Sequence, residues 1–150
     1  MAIDVDLFKE INDNHGHSTG DDVLLYLAQQ LKKVARSFED GWAGRFGGDE
    51  FIILIPRMTK DESVEHVNRL RGACSLAPIS GPAAELNITA SFGLSFIGES
   101  ELLNTFNSVE ILEHAIQIAD HRLSHAKQEG RNRVAPQDKG SPGRIAEKLF

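Results

Sequence analysis

One cysteine, one tryptophan, one tyrosine and five prolines among 150 residues set the first limits on this chain. Cys74 stands alone, so no intrachain disulfide can form and a reducing compartment is compatible with the sequence. A basic excess is missing too: 16 Lys and Arg face 22 Asp and Glu, a net charge of −6. Counterion release therefore cannot drive non-specific binding to nucleic acid or anionic lipid, and any phosphate group must be met by cations placed locally. No apolar run is long enough to span a bilayer and no secretory signal is visible, which makes the cytoplasm the expected location.

What is present suits one folded domain. The hydrophobic fraction is 41% and the charged fraction 25%, enough for a real core without the bias of a disordered chain. Ile3 and Val5 alternate with Asp4 and Asp6, a strand end with both acids on one face, and a helical turn is expected from Leu7. Val23, Leu24, Leu27, Ala28, Leu31, Val34, Ala35 and Phe38 recur at the spacing of an amphipathic helix. Thr59 and Glu62 have the separation of a capping box, opening a helix that turns Val64, Val67, Leu70 and Ala73 inward. After a loop with Pro and Gly, Ile88, Ala90, Phe92, Leu94 and Phe96 alternate as in a half-buried strand. A helix N-capped by Ser108 and closed by Gly130 follows, then a short edge strand in "RNRV". Strands and helices mixed in this order predict an α+β fold.

The stretch "AGRFGGDEFIILIP", residues 43–56, places Asp49 and Glu50 just before a run of β-formers. Gly47 and Gly48 suggest a tight hairpin with positive backbone angles. If that turn lies beside the end of the first strand, Asp4 and Asp49 converge, and two carboxylates ~4 Å apart repel by roughly 4 kcal/mol at an effective dielectric near 20. A hard divalent cation removes that penalty. Mg²⁺ uses a few carboxylate oxygens completed by water and substrate phosphate. In isolation, "GGDE" is read more simply as solvated acids in a turn.

Four separated stretches change that reading: "DVDLFKEIND" (4–13), "GHSTGDDVL" (16–24), "GRFGGDEF" (44–51) and "ADHRLSHAKQEGRN" (119–132). In order and spacing they resemble the GGDEF family of diguanylate cyclases over about residues 3–134. The resemblance implies a ferredoxin-like, palm-type mixed sheet, mainly antiparallel and flanked by helices, as in nucleotidyl cyclases. It also implies that two GTP molecules are condensed into cyclic di-GMP across an antiparallel homodimer, each chain being half an active site, with Mg²⁺ or Mn²⁺ as cofactor. The other possibility is an inactive module that binds GTP or cyclic di-GMP and regulates a partner.

Carried over by residue, the resemblance implies metal ligation by Asp4, the Val5 carbonyl and Asp49, with Glu50 at the reacting centre. Because neighbours on a regular strand point to opposite sides, Asp49 ranks above Glu50 as ligand. Asn12 and Asp21 match the guanine-reading pair; an ionised Asp accepts from guanine N1–H and its exocyclic amine, a donor pair adenine lacks. A turn Asn and a helix-start Asp are the bland readings of the same residues. Lys127 and Arg131 match phosphate contacts, although cations also decorate helix C-termini through the dipole. Backbone N–H groups of Phe8 and Lys9 add uncharged donors at a helix start.

Some residues carry less. His114, His121 and His125 share a helical face and read as solvated, His17 as structural, and Trp42 and Tyr26 as packing groups with a polar handle. The family's inhibitory product site, Arg-x-x-Asp, is represented here by Phe38 and Gly41, with Arg36 and Asp40 out of register, so no product inhibition through it is expected. The family's aromatic residue ahead of the phosphate-binding Lys is missing from "LSHAK". The family's N-terminal helix is also missing ahead of "DVD", which predicts a short first strand. Residues 1–134 are the expected domain and 135–150 a mobile tail, with no sensory or receiver segment alongside.

Overall fold

Alternation along the first strand decides the architecture. In the computed structural model, which describes residues 1–75, 86–98 and 107–136, β1 (Ala2–Val5) is the middle of a five-stranded sheet ordered β2–β3–β1–β4–β5. It pairs antiparallel with β3 (Glu50–Leu54) and β4 (Ala90–Gly93). The edges are β2 (Trp42–Arg45), antiparallel to β3, and β5 (Val134–Ala135), parallel to β4. Ile3 stands opposite Phe51 and Phe92, and cross-strand partners share a face, so these three form one apolar surface.

Two helices cover that surface. Val23, Leu24, Leu27, Leu31 and Ala35 of α2 (His17–Arg36), together with Val67, Leu70 and Cys74 of α3 (Lys60–Ser75), pack on Ile3, Val5, Phe51, Ile53 and Phe92 in one buried cluster. The short α1 (Phe8–His15) precedes them in the chain. The last helix, α4 (Ser108–Gln128), lies on the other face, where Ala119 and Leu123 bury Ala2. The result is the palm-type, mainly antiparallel α+β fold expected. Among the described residues no helix is long and apolar enough to cross a membrane.

Local chemistry accounts for the helix ends. The capping box forms as predicted: Glu62 N–H donates to Thr59 Oγ1 at 3.3 Å, while Thr59 N–H donates to Glu62 Oε2 at 2.9 Å. At α4 the cap is Asn107 instead of Ser108, because the Asn107 carboxamide oxygen accepts from Val109 N–H at 3.1 Å and Ser108 is already helical. Gly130, at φ 113, closes the other end as its sequence position suggests. Tyr26 packs with its hydroxyl directed to the Ala73 carbonyl at 3.4 Å.

Three other expectations are corrected. Neither Gly47 nor Gly48 has a positive φ, since only Gly16 and Gly130 do among the described glycines. The hairpin is closed more widely, with Phe46 and Gly47 N–H both donating to the Glu50 carbonyl at 2.9 and 3.4 Å. Phe38 lies past the end of α2, its ring edge-on to His66. The strand around Phe92 is buried on both faces, not one. Its second cover is α4, which approaches so closely that a Cβ on Gly93 would lie 1.9 Å from the Ala119 carbonyl oxygen. The Pro- and Gly-containing loop over 76–85 and the tail from 137 onward lie outside the described residues.

Cys74 is 2% exposed, and burial, helped by the nearby Asp6 charge, pushes its thiol up to about 11 from 9.0. Between those values the folded chain holds a proton that the unfolded chain has lost. The thiol's contribution to stability therefore falls as pH rises through that window and is constant below it. Dithionitrobenzoate should label Cys74 at pH 8 only as fast as the chain unfolds. The loss of urea stability between pH 9 and 11 should be shallower in Cys74→Ala; an equal slope in both proteins would contradict this.

Candidate active site

Four pieces of chain meet at the C-terminal end of β1: Asp4 to Asp6, the β2–β3 turn, the start of α1 and the end of α4. Asp4 and Asp6 are each 5% exposed, an unusual degree of burial for carboxylates. Each must find compensation, and they do so differently.

Asp6 is held by hydrogen bonds. Thr89 Oγ1 donates to Oδ2 at 2.7 Å, Ser91 Oγ to Oδ1 at 2.6 Å, and the Asn132 backbone N–H to Oδ2 at 2.9 Å. Arg71 on α3 in turn donates through Nη1 to the Asn132 carbonyl and to its side-chain oxygen at 3.3 and 3.0 Å. One carboxylate thus ties β1, β4 and the segment after α4 together, and through Asn132 engages α3.

Asp4 is held by charge. Lys127 Nζ, from the last turn of α4, lies 2.8 Å from Asp4 Oδ2. Burial nevertheless dominates, raising the Asp4 carboxyl to about 6; Lys127 opposes the rise, and the charges of Asp49 and Glu50 add to it. Those two acids are therefore close enough to be felt. In the β1–β3 register Glu50 stands directly opposite Asp4, while Asp49, just before the strand, receives the Val5 N–H on its carbonyl at 3.4 Å.

The turn carrying them is braced by Arg45, a residue sequence reading passed over. Its Nε donates to the Gly47 and Gly48 carbonyls at 3.2 and 2.9 Å, and its Nη2 to Gly48 at 2.5 Å. Backbone strain gathers nearby. Leu7 (φ 57), Arg131 (φ 62) and Asn132 (φ 46), three of the five described non-glycine residues at positive φ, flank this end of β1.

The donor set is all oxygen and incomplete. No group of three His, Cys, Asp or Glu side chains able to hold a metal occurs among the described residues. The Asp4 carboxylate, with Asp49 and Glu50 near enough to act on it and Glu50 opposite it in register, is nevertheless the kind of incomplete oxygen set that suits Mg²⁺, which keeps waters and substrate phosphates in its shell. The lysine ammonium already on Asp4 Oδ2 marks this carboxylate as a cation partner.

The remaining candidates fall around this centre. No side chain caps the start of α1, where Phe8 and Lys9 lie, leaving its first backbone donors unclaimed by a cap. Asn12 on α1 faces Gly20 on α2: its buried Oδ1 has no partner among the described residues, and a Cβ on Gly20 would stand 1.9 Å from it. Gly20 is thus the small residue that lets Asn12 approach the position beside Asp21. Asp21 is exposed and opens onto a groove of about 500 Å³ that reaches Lys32, Gly44 and Arg45. A second cavity of 210 Å³ lies beneath α4, bordered by Phe46, Glu50 and Asp120. Neither is lined by Asn12, Lys127 or Arg131. Arg131 is exposed, its side chain in none of the described hydrogen bonds.

Phe38 and Gly41 serve packing. Gly41 passes so near the Ala35 carbonyl that a Cβ would lie 2.1 Å from it. His121 and His125 lie 4.6 Å apart between ring centroids with their planes tilted by 54°, and no third ligand joins them among the described residues.

Sheet, helices and acidic strand end define a palm-type α+β domain. A family model described as the diguanylate cyclase GGDEF domain matches residues 1–133, and the chain belongs to that family. It is 36% identical over 135 residues to diguanylate cyclase DosC of Escherichia coli, covering 89% of this chain and 27% of that protein. It is 35% identical over 133 residues to diguanylate cyclase DgcP of Pseudomonas aeruginosa, covering 89% of this chain and 18% of that protein. The chain thus spans about a quarter or less of these two relatives. The active GGEEF domain of a Vibrio cholerae diguanylate cyclase superposes with a TM-score of 0.73 at 29% identity, over 91% of this chain and 81% of that one. The GGDEF domain of Caulobacter crescentus DgcB, solved with c-di-GMP, gives 0.72 at 30% identity, over 89% and 74%.

Gly20→Ala should destabilise the chain by about 1–3 kcal/mol, the scale of overpacking. Removing the clashing amide in Asn12→Ala/Gly20→Ala should recover part of the loss. Urea unfolding of the two single variants and the double variant measures the coupling, and strict additivity would show that the two residues do not touch.

Proposed function

We propose that the chain is a diguanylate cyclase domain, joining two GTP molecules into cyclic di-GMP with release of two pyrophosphates. The observation that carries this is the buried Asp4 carboxylate at the end of the central strand, paired with Lys127 and close enough to Asp49 and Glu50 to feel their charges, within a chain matching the family over residues 1–133.

Each bond forms between the 3′-oxygen of one GTP and the α-phosphorus of the other, while the bond to pyrophosphate breaks. The two nucleotides sit on two copies of the chain, so a homodimer is needed. Asp4, the Val5 carbonyl and Asp49 would hold Mg²⁺ or Mn²⁺, which supplies polarisation of the α-phosphate and offsets charge on departing pyrophosphate. Lys127 and Arg131 bind the terminal phosphates, Arg131 as a fork and Lys127 as a point charge. Phe8 and Lys9 contribute backbone N–H groups at the α1 start. Asp21 accepts from guanine and Asn12 completes the base contact. Glu50 is our assignment for the hydroxyl proton.

Purified protein at high concentration, incubated with GTP and Mg²⁺, should yield cyclic di-GMP on chromatography. Nucleotide binding without product would instead select a regulatory module. Asp49→Asn should lower turnover at least roughly 100-fold, the scale of losing one group that stabilises developing charge, with unfolding little changed. Full activity would refute its ligand role. Asp21→Ser should reduce the preference for GTP over ATP about tenfold or more, as expected when donors on the base lose their acceptor; an unchanged ratio would move base reading elsewhere.

A further inference from the structure

We infer that Lys127 is a place-holder cation on Asp4, displaced by the divalent metal and thereby released to the triphosphate. The inference rests on the cyclase reading for the identity of that triphosphate. It adds a sequence of partners for one side chain and a coupling between two ligands.

The geometry is asymmetric. The Asp4 side chain is 7% exposed and fixed on the central strand, whereas Lys127 is 34% exposed on a flexible four-carbon stem. With its ammonium 2.8 Å from Oδ2, Lys127 neutralises a buried carboxylate that would otherwise stand unpaired in the free protein. A metal ligated by Asp4 lies ~2.0–2.1 Å from a carboxylate oxygen. Ammonium and dication would then compete for one carboxylate that is itself largely shut off from water. Asp4 cannot move away, so Lys127 does. Arg131, exposed, stands three residues past the end of α4, in the segment that leaves it. A triphosphate bound there gives the released ammonium a new anion.

Metal alone must therefore evict Lys127 without offering it a partner, and nucleotide alone must draw it off Asp4 and leave that carboxylate bare. Together they satisfy every charge. Each ligand then strengthens the other by the same factor, as linkage requires.

The test is Mn²⁺ binding to the whole chain, followed by electron paramagnetic resonance, with and without α,β-methylene GTP, which cannot release pyrophosphate. Wild type should bind Mn²⁺ weakly alone and more tightly with nucleotide. Lys127→Met should bind Mn²⁺ about tenfold tighter than wild type without nucleotide, within the usual span of site coupling, and gain less when nucleotide is added. Lys127→Gln, which retains a hydrogen-bond donor for Asp4, should behave alike and guards against a folding defect in the Met variant. Nucleotide-free affinity equal to or weaker than wild type in both variants would overturn the exchange alone. Absence of Mn²⁺ binding by wild type even with nucleotide would overturn both the exchange and the cyclase reading.

Discussion

Burying two carboxylates two residues apart, Asp4 on the central strand and Asp6 in the turn that follows it, is the constraint around which this domain is arranged. Each would be strongly unfavourable if left bare, yet each receives a different remedy. Asp6 is satisfied by neutral donors from β4 and the residue before it, and from the segment after α4. Three such bonds in a dry environment fix positions, and they fasten the end of α4 to the end of β1. Asp4 receives a single movable cation from that same helix. The first remedy makes the second possible, because it holds the α4 terminus where a lysine stem can reach Asp4. An acid fixed by hydrogen bonds and an acid held by one exchangeable cation are thus separated by one residue and distinguished by what surrounds them.

The sequence made the helices and the sheet class legible because their signals are local. Apolar spacing marked α2, and Thr59 with Glu62 marked the start of α3 through a bond pattern confined to four residues. The errors came where distant chain decides. Nothing near Phe92 announces that α4 will cover its second face; Gly93, whose missing Cβ admits the Ala119 carbonyl, was the available hint. The Gly47–Gly48 pair invited a left-handed turn, but the Arg45 guanidinium holds the loop through its carbonyls without one. Choosing Ser108 over Asn107 as cap is an ambiguity of one position between two residue types that both cap well.

The candidate site was visible mainly as a family pattern, and its physical logic was only partly readable. Alternation put Asp4 and Asp6 together, yet it did not separate their tasks. Thr89 and Ser91, polar at alternate positions beside Ile88 and Ala90, were the signal that a buried acceptor lay opposite. Gly20 was likewise hidden inside a motif stretch, since the value of a small residue between two helices appears only when Asn12 is seen against it. For Phe38 and Gly41 the reverse holds: their side-chain chemistry already excluded an Arg–Asp anion site, and the fold gives both positions ordinary packing work.

A net charge of −6 does not by itself argue against the polyanionic nucleotide proposed as ligand, because the sum is the wrong quantity. At physiological ionic strength exposed charges are screened beyond about 8 Å, so distant acids contribute little at the strand end. What acts there is a small set. Asp4, Asp49 and Glu50 require positive charge, while Lys127 and Arg131 sit at a helix C-terminus whose dipole favours cations. Negative and positive groups are thus held within a few residues of one another, and neither set is neutralised completely by the other. A metal–triphosphate pair has the complementary distribution, its dication toward the acids and its phosphates toward the cations. On the proposed cyclase reading, selectivity for such a pair over either component would follow from that local separation of charge, independent of the acidic surface elsewhere.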